Sequence, residues 1–215
     1  MSRRWTRLAP CVALGMALAS AARAQVVCAL GPGAASYQPG SDQRPTPDAM
    51  ELAERVNTAL KTICSPNCPS TGVYRNTTAA NAMLVVDAGQ AKFVYAPQFF
   101  AAAYERYGDG AIIGILAHEL GHALDDVMGA AWVKSSWSPE LRADSWAGCT
   151  LARIALPPSD LQASLAALAK YPASGHPAWN LRLPVLRVGY TQCGGDGARL
   201  DHAAAPVTGA EPRAK

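Results

Sequence analysis

The sequence predicts an α+β fold that is mostly helical and contains a small antiparallel sheet or hairpin. Apolar residues recur at intervals of three and four over several long segments, which is the spacing of amphipathic helices. One pair of short apolar runs, residues 81–86 and 92–96, is separated by a glycine-containing turn and predicts a hairpin. The chain has 215 residues, half of them hydrophobic and 16% charged, so we expect one domain with a substantial core.

The first 24 residues differ in composition from the rest of the chain. Three arginines precede an apolar run over residues 8–19, and the tripeptide Ala-Arg-Ala follows at residues 22–24. This order is typical of a signal peptide that is cleaved after Ala24, so we expect an exported protein, periplasmic or secreted. The apolar run is too short for a permanent transmembrane helix, and no stable membrane insertion is expected.

Removal of this segment changes the charge of the protein. Residues 1–24 contain four arginines and no acids, so cleavage leaves 15 basic against 16 acidic residues, and the formal net charge falls from +3 to −1. The remaining lysines and arginines form no cluster in the sequence. A nucleic-acid partner is therefore not expected.

The cysteines predict disulfides in an oxidising compartment. The chain contains Cys11, Cys28, Cys64, Cys68, Cys149 and Cys193. The first belongs to the predicted signal peptide. Cys64 can pair with Cys68 across a short loop, and a pair of Cys149 with Cys193 is the second expectation. Cys28 would then be free or intermolecular. A cysteine zinc site at the first pair is the alternative, but that pair has no matching second pair.

The elements follow from local signals along the chain. Residues 25–45, rich in glycine and proline, are expected to form an irregular lead-in. Thr46 and Pro47 predict a helix start, a capping hydroxyl followed by proline at the first helical position, and this helix should stop before Pro66. The hairpin comes next, and the folded domain is expected to span residues 46–193.

Helices are predicted to dominate after the hairpin. They are expected over residues 97–107, 111–128, 139–156, 160–171 and 177–191. Pro184 should kink or restart the last of them, because proline removes a helical hydrogen bond. Residues 194–215 are rich in glycine, alanine and proline with little periodicity, and we expect a disordered tail.

The segment AHELGHALDD contains a metal-binding pattern. His118 and His122 are four residues apart on a predicted helix, so both imidazoles lie on one face and can bind one ion. Apolar residues such as Leu116 and Leu124 should form an opposite, core-facing stripe. Gly114 and Gly121 weaken a helix, and close approach of a strand or substrate would explain them. Glu119 is rotated by about 100° from His118 and is placed to accept a proton from a metal-bound water.

A third ligand is needed because catalytic zinc usually has three protein ligands and one open position. The segment SPELRADSWAGC begins a helix with Ser138 as cap and carries Glu140 and Asp144 on one face. We expect Glu140 to bind the zinc ion and Asp144 to accept the free N–H of a ligating histidine. The alternative is a solvated helix start, where acids are favoured by the helix dipole.

The motifs HELGH and ELRAD resemble the gluzincin zinc metallopeptidases, whose third ligand is the glutamate of a Glu-x-x-x-Asp helix. Together with ANAMLVV upstream and HPAWNLR downstream, they resemble the family of the CAAX prenyl proteases, the HtpX-type heat-shock proteases and their soluble periplasmic relatives, over residues 73–193. The stretch from QFFAAAYERYGDG to ELRADSWAGC is also similar to a group of neutral zinc metallopeptidases. The resemblance implies a zincin-like fold in which a small sheet packs on the zinc-binding helix.

The resemblance also implies roles for individual residues. The two histidines and Glu140 would bind one zinc ion, and Glu119 would be the general base. His176 and Arg182, from the pattern His-Pro-x-x-x-x-Arg, would lie near the active site and steady the oxyanion of the transition state. The alternative is that His176 caps a helix and Arg182 pairs with an acid such as Asp144.

These observations predict a zinc-dependent endopeptidase that cleaves extended or unfolded peptides. The strand at residues 92–96, if it is an edge strand above the zinc helix, would pair with the substrate main chain. Unlike the membrane members of the family, the chain has no long apolar segments around the zinc helix. Two alternatives are a secreted, zinc-stabilised binding or chaperone-like module without hydrolysis, and a metal-free domain held by disulfides.

Overall fold

The computed structural model describes residues 25–29, 37–171 and 176–208. In this part of the chain the elements are β1 (Gln25–Ala29), β2 (Asp42–Gln43), α1 (Pro47–Cys64), β3 (Thr71–Asn76), β4 (Ala82–Asp87), β5 (Gln90–Tyr95), α2 (Pro97–Tyr107), α3 (Asp109–Val127), α4 (Pro139–Ile154), α5 (Pro158–Lys170), α6 (Trp179–Gln192) and α7 (Gly197–Thr208). The predicted α+β, mostly helical fold is confirmed. The predicted signal peptide lies outside the described residues.

The five strands form one mixed sheet in the order β1-β4-β5-β3-β2. The predicted hairpin is present as β4 and β5, which pair antiparallel from Ala82↔Tyr95 to Asp87↔Gln90. Its turn residues Ala88 and Gly89 have φ angles of 48° and 78°. Two consecutive residues with positive φ angles form the kind of tight turn whose twist matches that of the two strands.

Strand β5 is an interior strand, so the prediction of an edge strand at residues 92–96 is wrong. It pairs with β4 on one side and with β3 on the other, where the two strands run parallel from Thr71↔Ala91 to Arg75↔Tyr95. The sequence gives little signal for β3, because TGVYRN contains glycine and shows no clear alternation of apolar and polar residues. Main-chain pairing with a peptide at β5 is therefore excluded by the fold.

The central helix is α3, which is buried on all sides rather than along one stripe. Every residue from Gly110 to Leu124 is buried. A Cβ on Gly114 would lie 2.9 Å from backbone atoms of Ser164 in α5, and one on Gly121 would lie 2.6 Å from the carbonyl oxygen of Ala143 in α4. Neighbouring helices, not a strand or substrate, therefore account for these two glycines. No helix in the described part of the chain is long and apolar enough to cross a membrane.

The last helix corrects the expectation of a disordered tail from residue 194. Helix α7 buries three apolar residues at helical spacing: Leu200, Ala203 and Ala204. It packs against α5 and α6, and Asp201 pairs with Arg187 of α6 at 2.8 Å. The short alanine-rich stretch offered too little contrast between apolar and polar faces to be recognised as a helix. Residues 209–215 lie outside the described part.

The structure of residues 25–45 and the effect of Pro184 on α6 both differ from the predictions. Residues 25–45 are not wholly irregular, because β1 and β2 add a strand at each edge of the sheet. Their main-chain partners lie far away in the sequence, which local composition does not reveal.

Helix α6 continues through Pro184. The carbonyl that loses its partner belongs to Asn180, which is exposed, so water can satisfy it.

The two expected disulfides are present. Cys64 is bonded to Cys68 at the end of α1, and Cys149 of α4 is bonded to Cys193 just after α6. The second bond joins segments 44 residues apart in the chain. Cys28 is free and buried. These bonds are consistent with folding in an oxidising compartment.

Replacing Gly189 with alanine should destabilise the fold through the contact between α4 and α6. A Cβ at this position would overlap the carbonyl group of Ser145 on α4. Such overpacking typically costs about 1–3 kcal/mol, since the two helices must separate. Urea unfolding measures the effect, and Gly40→Ala is the control because nothing lies within 4 Å of the added atom. Equal unfolding midpoints for both variants would contradict the close contact between α4 and α6 at Gly189.

Candidate metal centre

Helices α3 and α4 bring the three predicted metal ligands together. His118 and His122 lie one turn apart on α3, and Glu140 lies in the first turn of α4, after the Ser138 cap. The Oε2 atom of Glu140 is 3.3 Å from Nε2 of His118 and 3.4 Å from Nε2 of His122. The contact between α3 and α4 at Gly121 allows this convergence, because a side chain there would push the helices apart.

The chemistry of these groups fits a cation. The side chains of His118 and His122 are buried, and the Nε2 atom of His122 makes no hydrogen bond, although Oε2 of Glu140 lies 3.4 Å away at ion-pair distance. A buried ring nitrogen without a hydrogen bond lowers the stability of the fold unless a further group, such as a metal ion, binds it. Together with Cys28, these residues offer four ligand atoms that all lie within 4.8 Å of one another. This buried group could hold a metal ion.

Cys28 is the member of the group that the sequence did not predict. Its Sγ atom lies 4.0 Å from Nε2 of His118, 3.6 Å from Oε1 of Glu119 and 3.7 Å from Oε2 of Glu140. Burial, followed by the charges of the two glutamates, raises the pKa of the Cys28 thiol. The only sequence signal was the odd cysteine left by the two disulfides.

Glu119 lies beside the ligand group, and one oxygen of its carboxyl group is held by the sheet. Its Oε2 atom accepts a hydrogen bond of 2.9 Å from the backbone N–H of Leu84 in β4. The carboxyl group is fully buried, and this burial raises its pKa above the ordinary value, against the opposing effect of the two histidines. Strand β4 therefore fixes the carboxyl group of Glu119 next to the candidate metal ligands.

Asp144 makes the expected contact with a ligating histidine. Its Oδ1 atom lies 3.0 Å from Nδ1 of His118, which leaves the Nε2 atom facing Glu140. Arg182 donates from Nε and Nη2 to the two oxygens of Asp144, both at 2.8 Å, and from Nη1 to the carbonyl of Leu168 at 2.9 Å. Burial alone would raise the pKa of Asp144, but the Arg182 guanidinium outweighs it and holds the pKa below its usual range.

His176 and Arg182 therefore occupy different places. The Nε2 atom of His176 lies 2.7 Å from Oε2 of Glu140 and 3.0 Å from Nε2 of His118, within the candidate centre. Arg182 lies behind Asp144 and forms the ion pair that the sequence left open as its alternative role. With these contacts the guanidinium supports the ligand helix rather than facing the ligand atoms.

Metal uptake at this centre should strengthen as the pH rises towards 9. Burial alone would lower the pKa of His118, but Asp144 and Glu140 outweigh it and raise the pKa to about 9. The ring therefore carries a proton at neutral pH that a metal ion must displace, and the apparent dissociation constant should fall by at least about tenfold per pH unit between roughly pH 6.5 and 9, with a steeper fall if a second proton is released. Titration against a competing chelator measures this slope. An apparent dissociation constant that does not change with pH would contradict this expectation. Asp144→Asn should make the dissociation constant less dependent on pH.

Comparisons with known protein families, curated proteins and solved structures found no match for this chain.

Proposed function

We propose that the protein is a zinc-dependent endopeptidase. The observation that carries the proposal is the convergence of His118, His122 and Glu140 beside the separate, fully buried carboxyl group of Glu119. Two imidazoles and one carboxylate are a common ligand set of catalytic zinc, and such sites leave one position open for the reaction. An additional buried acid that is not a ligand is what general base catalysis requires.

The spacing of the ligand atoms supports zinc as the ion. Two nitrogen or oxygen ligands at about 2.0–2.1 Å from a tetrahedral zinc ion are about 3.3–3.4 Å apart. The distances from Glu140 to the two histidines are 3.3 and 3.4 Å. A bound zinc ion would polarise the scissile carbonyl group and lower the pKa of a water molecule towards 7.

Glu119 is proposed to move the proton. Its raised pKa brings the carboxyl group closer to the working pH, which suits a group that accepts a proton and then donates it to the leaving amine. The hydrogen bond from Leu84 leaves Oε1 as the oxygen near the ligand group, 3.6 Å from the Cys28 sulfur. Asp144 and Arg182 position His118, and His176 is proposed to contact the substrate or the developing oxyanion.

The proposed substrate is an extended or unfolded peptide, and the proposed compartment is the periplasm or the exterior. Both the substrate and the compartment are supported by the motifs that resemble the gluzincins. Among the gluzincins, the resemblance includes the soluble periplasmic relatives of the HtpX-type proteases. The disulfides fit an oxidising compartment. The packing of β4 against α3, through Glu119, supports a zincin-like arrangement.

Metal analysis combined with digestion of unfolded casein tests the proposal. The purified protein should contain one zinc ion per chain and should cleave casein, and a chelator should remove both properties until zinc is restored. Because the candidate ligands are largely buried, the cleavage assay should also be run in a low concentration of urea, which loosens the fold without unfolding it. Zinc without cleavage in either condition would favour the alternative, a secreted binding or chaperone-like module. No zinc and no cleavage would leave a disulfide-held domain.

A further inference from the structure

Parts of the same chain cover most of the candidate centre, and among its candidate ligands the Glu140 side chain alone keeps appreciable exposure, at 19%. His118 and Glu119 have no exposed surface, and His122 is 4% exposed. Cys28 of β1 covers one side, and the side chain of His176, also without exposed surface, covers another. A pocket of about 420 Å³ lies between α1 and α2 and contains none of these residues. A peptidase with this centre must open before a substrate can reach it.

Strand β1 occupies the position where an extended peptide would pair with the sheet. Without β1, the neighbouring strand β4 would be the edge of the sheet. An unpaired edge strand offers its N–H and C=O groups to any extended chain. Strand β1 pairs antiparallel with β4, and the same β4 donates the N–H of Leu84 to Glu119. The segment therefore lies along the edge that adjoins the proposed catalytic base.

The register of β1 directs Cys28 towards the ligands. Cys28 is paired with Leu84, and the register shifts between Val26 and Cys28. Such a bulge re-aims the side chains that follow it. Met83 and Val85 belong to the apolar cluster on the other face of the sheet, so Leu84 and the opposite residue Cys28 face α3.

One observation independent of the cysteine, and the spacing of the sulfur itself, point to a ligand position here. The Nε2 atom of His122 is buried and makes no hydrogen bond, although Oε2 of Glu140 lies 3.4 Å away, and it lies within 4.8 Å of the sulfur. The sulfur also has the spacing of a ligand, since a thiolate and a nitrogen or oxygen ligand of one tetrahedral zinc ion are about 3.6 Å apart. In the structure, Sγ lies 3.7 Å from Oε2 of Glu140 and 4.0 Å from Nε2 of His118.

We propose that Cys28 is a fourth protein ligand of the zinc ion and that β1, by pairing with β4, holds the centre in a latent form in which no substrate can bind. This inference rests on the proposed peptidase function. Binding of the sulfur releases the thiol proton and fills the position that the substrate and its attacking water would need. Activation requires β1 to leave β4 and to withdraw Cys28. The buried, ligated thiol would also stay reduced in an oxidising compartment.

X-ray absorption at the zinc edge tests the ligand without reference to activity. The full-length protein should show one sulfur neighbour at about 2.3 Å, which is the usual zinc–thiolate distance, and Cys28→Ala should lose this neighbour while it still binds one zinc ion. The other cysteines of the described part are in disulfides and cannot supply it. Absence of sulfur around zinc in the unchanged protein overturns the proposal, whatever its activity.

Hydrolysis of a fluorogenic peptide by the same proteins tests the latency. Cys28→Ala should cleave more than about tenfold faster than the unchanged protein, since a larger fraction of molecules is competent. Val85→Ala is the matched control, because it removes buried atoms from β4 on the opposite face of the sheet and should leave the rate and the sulfur neighbour unchanged. An equal rise in both variants would mean general loosening and overturns the latency.

The two measurements separate the failure of this proposal from the failure of the peptidase function. Sulfur bound to zinc, with equal rates for Cys28→Ala and the unchanged protein, overturns the latency alone. If Cys28→Ala binds zinc and loses the sulfur but cleaves nothing, even in low urea that releases β1 from β4, the ligand is supported and the peptidase function is overturned.

Discussion

Replacing Glu119 with glutamine is expected to lower kcat/KM for peptide hydrolysis by about three orders of magnitude while the zinc content stays at one ion per chain. The glutamine side chain has nearly the same shape and retains an oxygen that can accept the N–H of Leu84. It cannot accept a proton, so only the base is removed. General acid–base catalysis contributes about 10²–10⁴-fold, which sets the size of the expected loss.

The experiment needs a control for a general effect of losing one carboxylate. Glu105→Gln makes the same chemical change at an exposed position of α2 and should leave kcat/KM unchanged. Comparing Cys28→Ala with Cys28→Ala/Glu119→Gln removes the proposed zinc–sulfur bond from both proteins and makes the loss easier to measure. Activity close to that of the unchanged protein, with zinc still bound, would remove Glu119 from its proposed role.

The helices and the ligand pattern were predictable because their signals are local. Thr46 caps α1 through a bond to the N–H of Ala49, as a hydroxyl before Pro47 predicts. The spacing of His118 and His122 on one helix fixes their convergence without knowledge of the rest of the fold. The third ligand, Glu140, required only that a second helix lie beside the first, which the short connection allows.

The sheet and the fourth member of the ligand group were not predictable for a physical reason. Cys28 lies 90 residues from His118 in the sequence, and their contact depends on the pairing of β1 with β4 and on a bulge in that pairing. No local preference encodes either feature. The interior position of β5 has the same origin, since it depends on the parallel partner β3, whose sequence gives a weak strand signal.

The ion pair of Arg182 with Asp144 decides between the two roles that the sequence left open for this arginine. An arginine near a catalytic centre can contact the substrate or hold an acid in place, and the sequence left both open. Burial decides: Arg182 is 1% exposed, and Asp144 has no exposed surface. Two buried opposite charges with paired hydrogen bonds satisfy each other, so the arginine acts through Asp144 on His118.

Replacing Arg182 with methionine should therefore lower the free energy of unfolding by about 3–5 kcal/mol, because it leaves the Asp144 carboxylate buried without its partner. Methionine keeps much of the apolar stem of arginine, so the loss reports the charge more than the volume. The variant should also bind zinc more weakly, since an unpaired Asp144 no longer orients His118 as firmly. Urea unfolding measures the first effect, and competition with a chelator measures the second.

The same helix supplies the matched control. Arg187 of α6 pairs with Asp201 at 2.8 Å, but both side chains are about half exposed, so Arg187→Met should leave stability and zinc affinity essentially unchanged. Combining Arg182→Met with Asp144→Leu should recover part of the lost stability, because removing both buried charges costs less than removing one. Zinc affinity should stay low in that double variant, since His118 has lost its Asp144 partner. Equal losses of stability in Arg182→Met and Arg187→Met would show that burial does not set the strength of the inner pair.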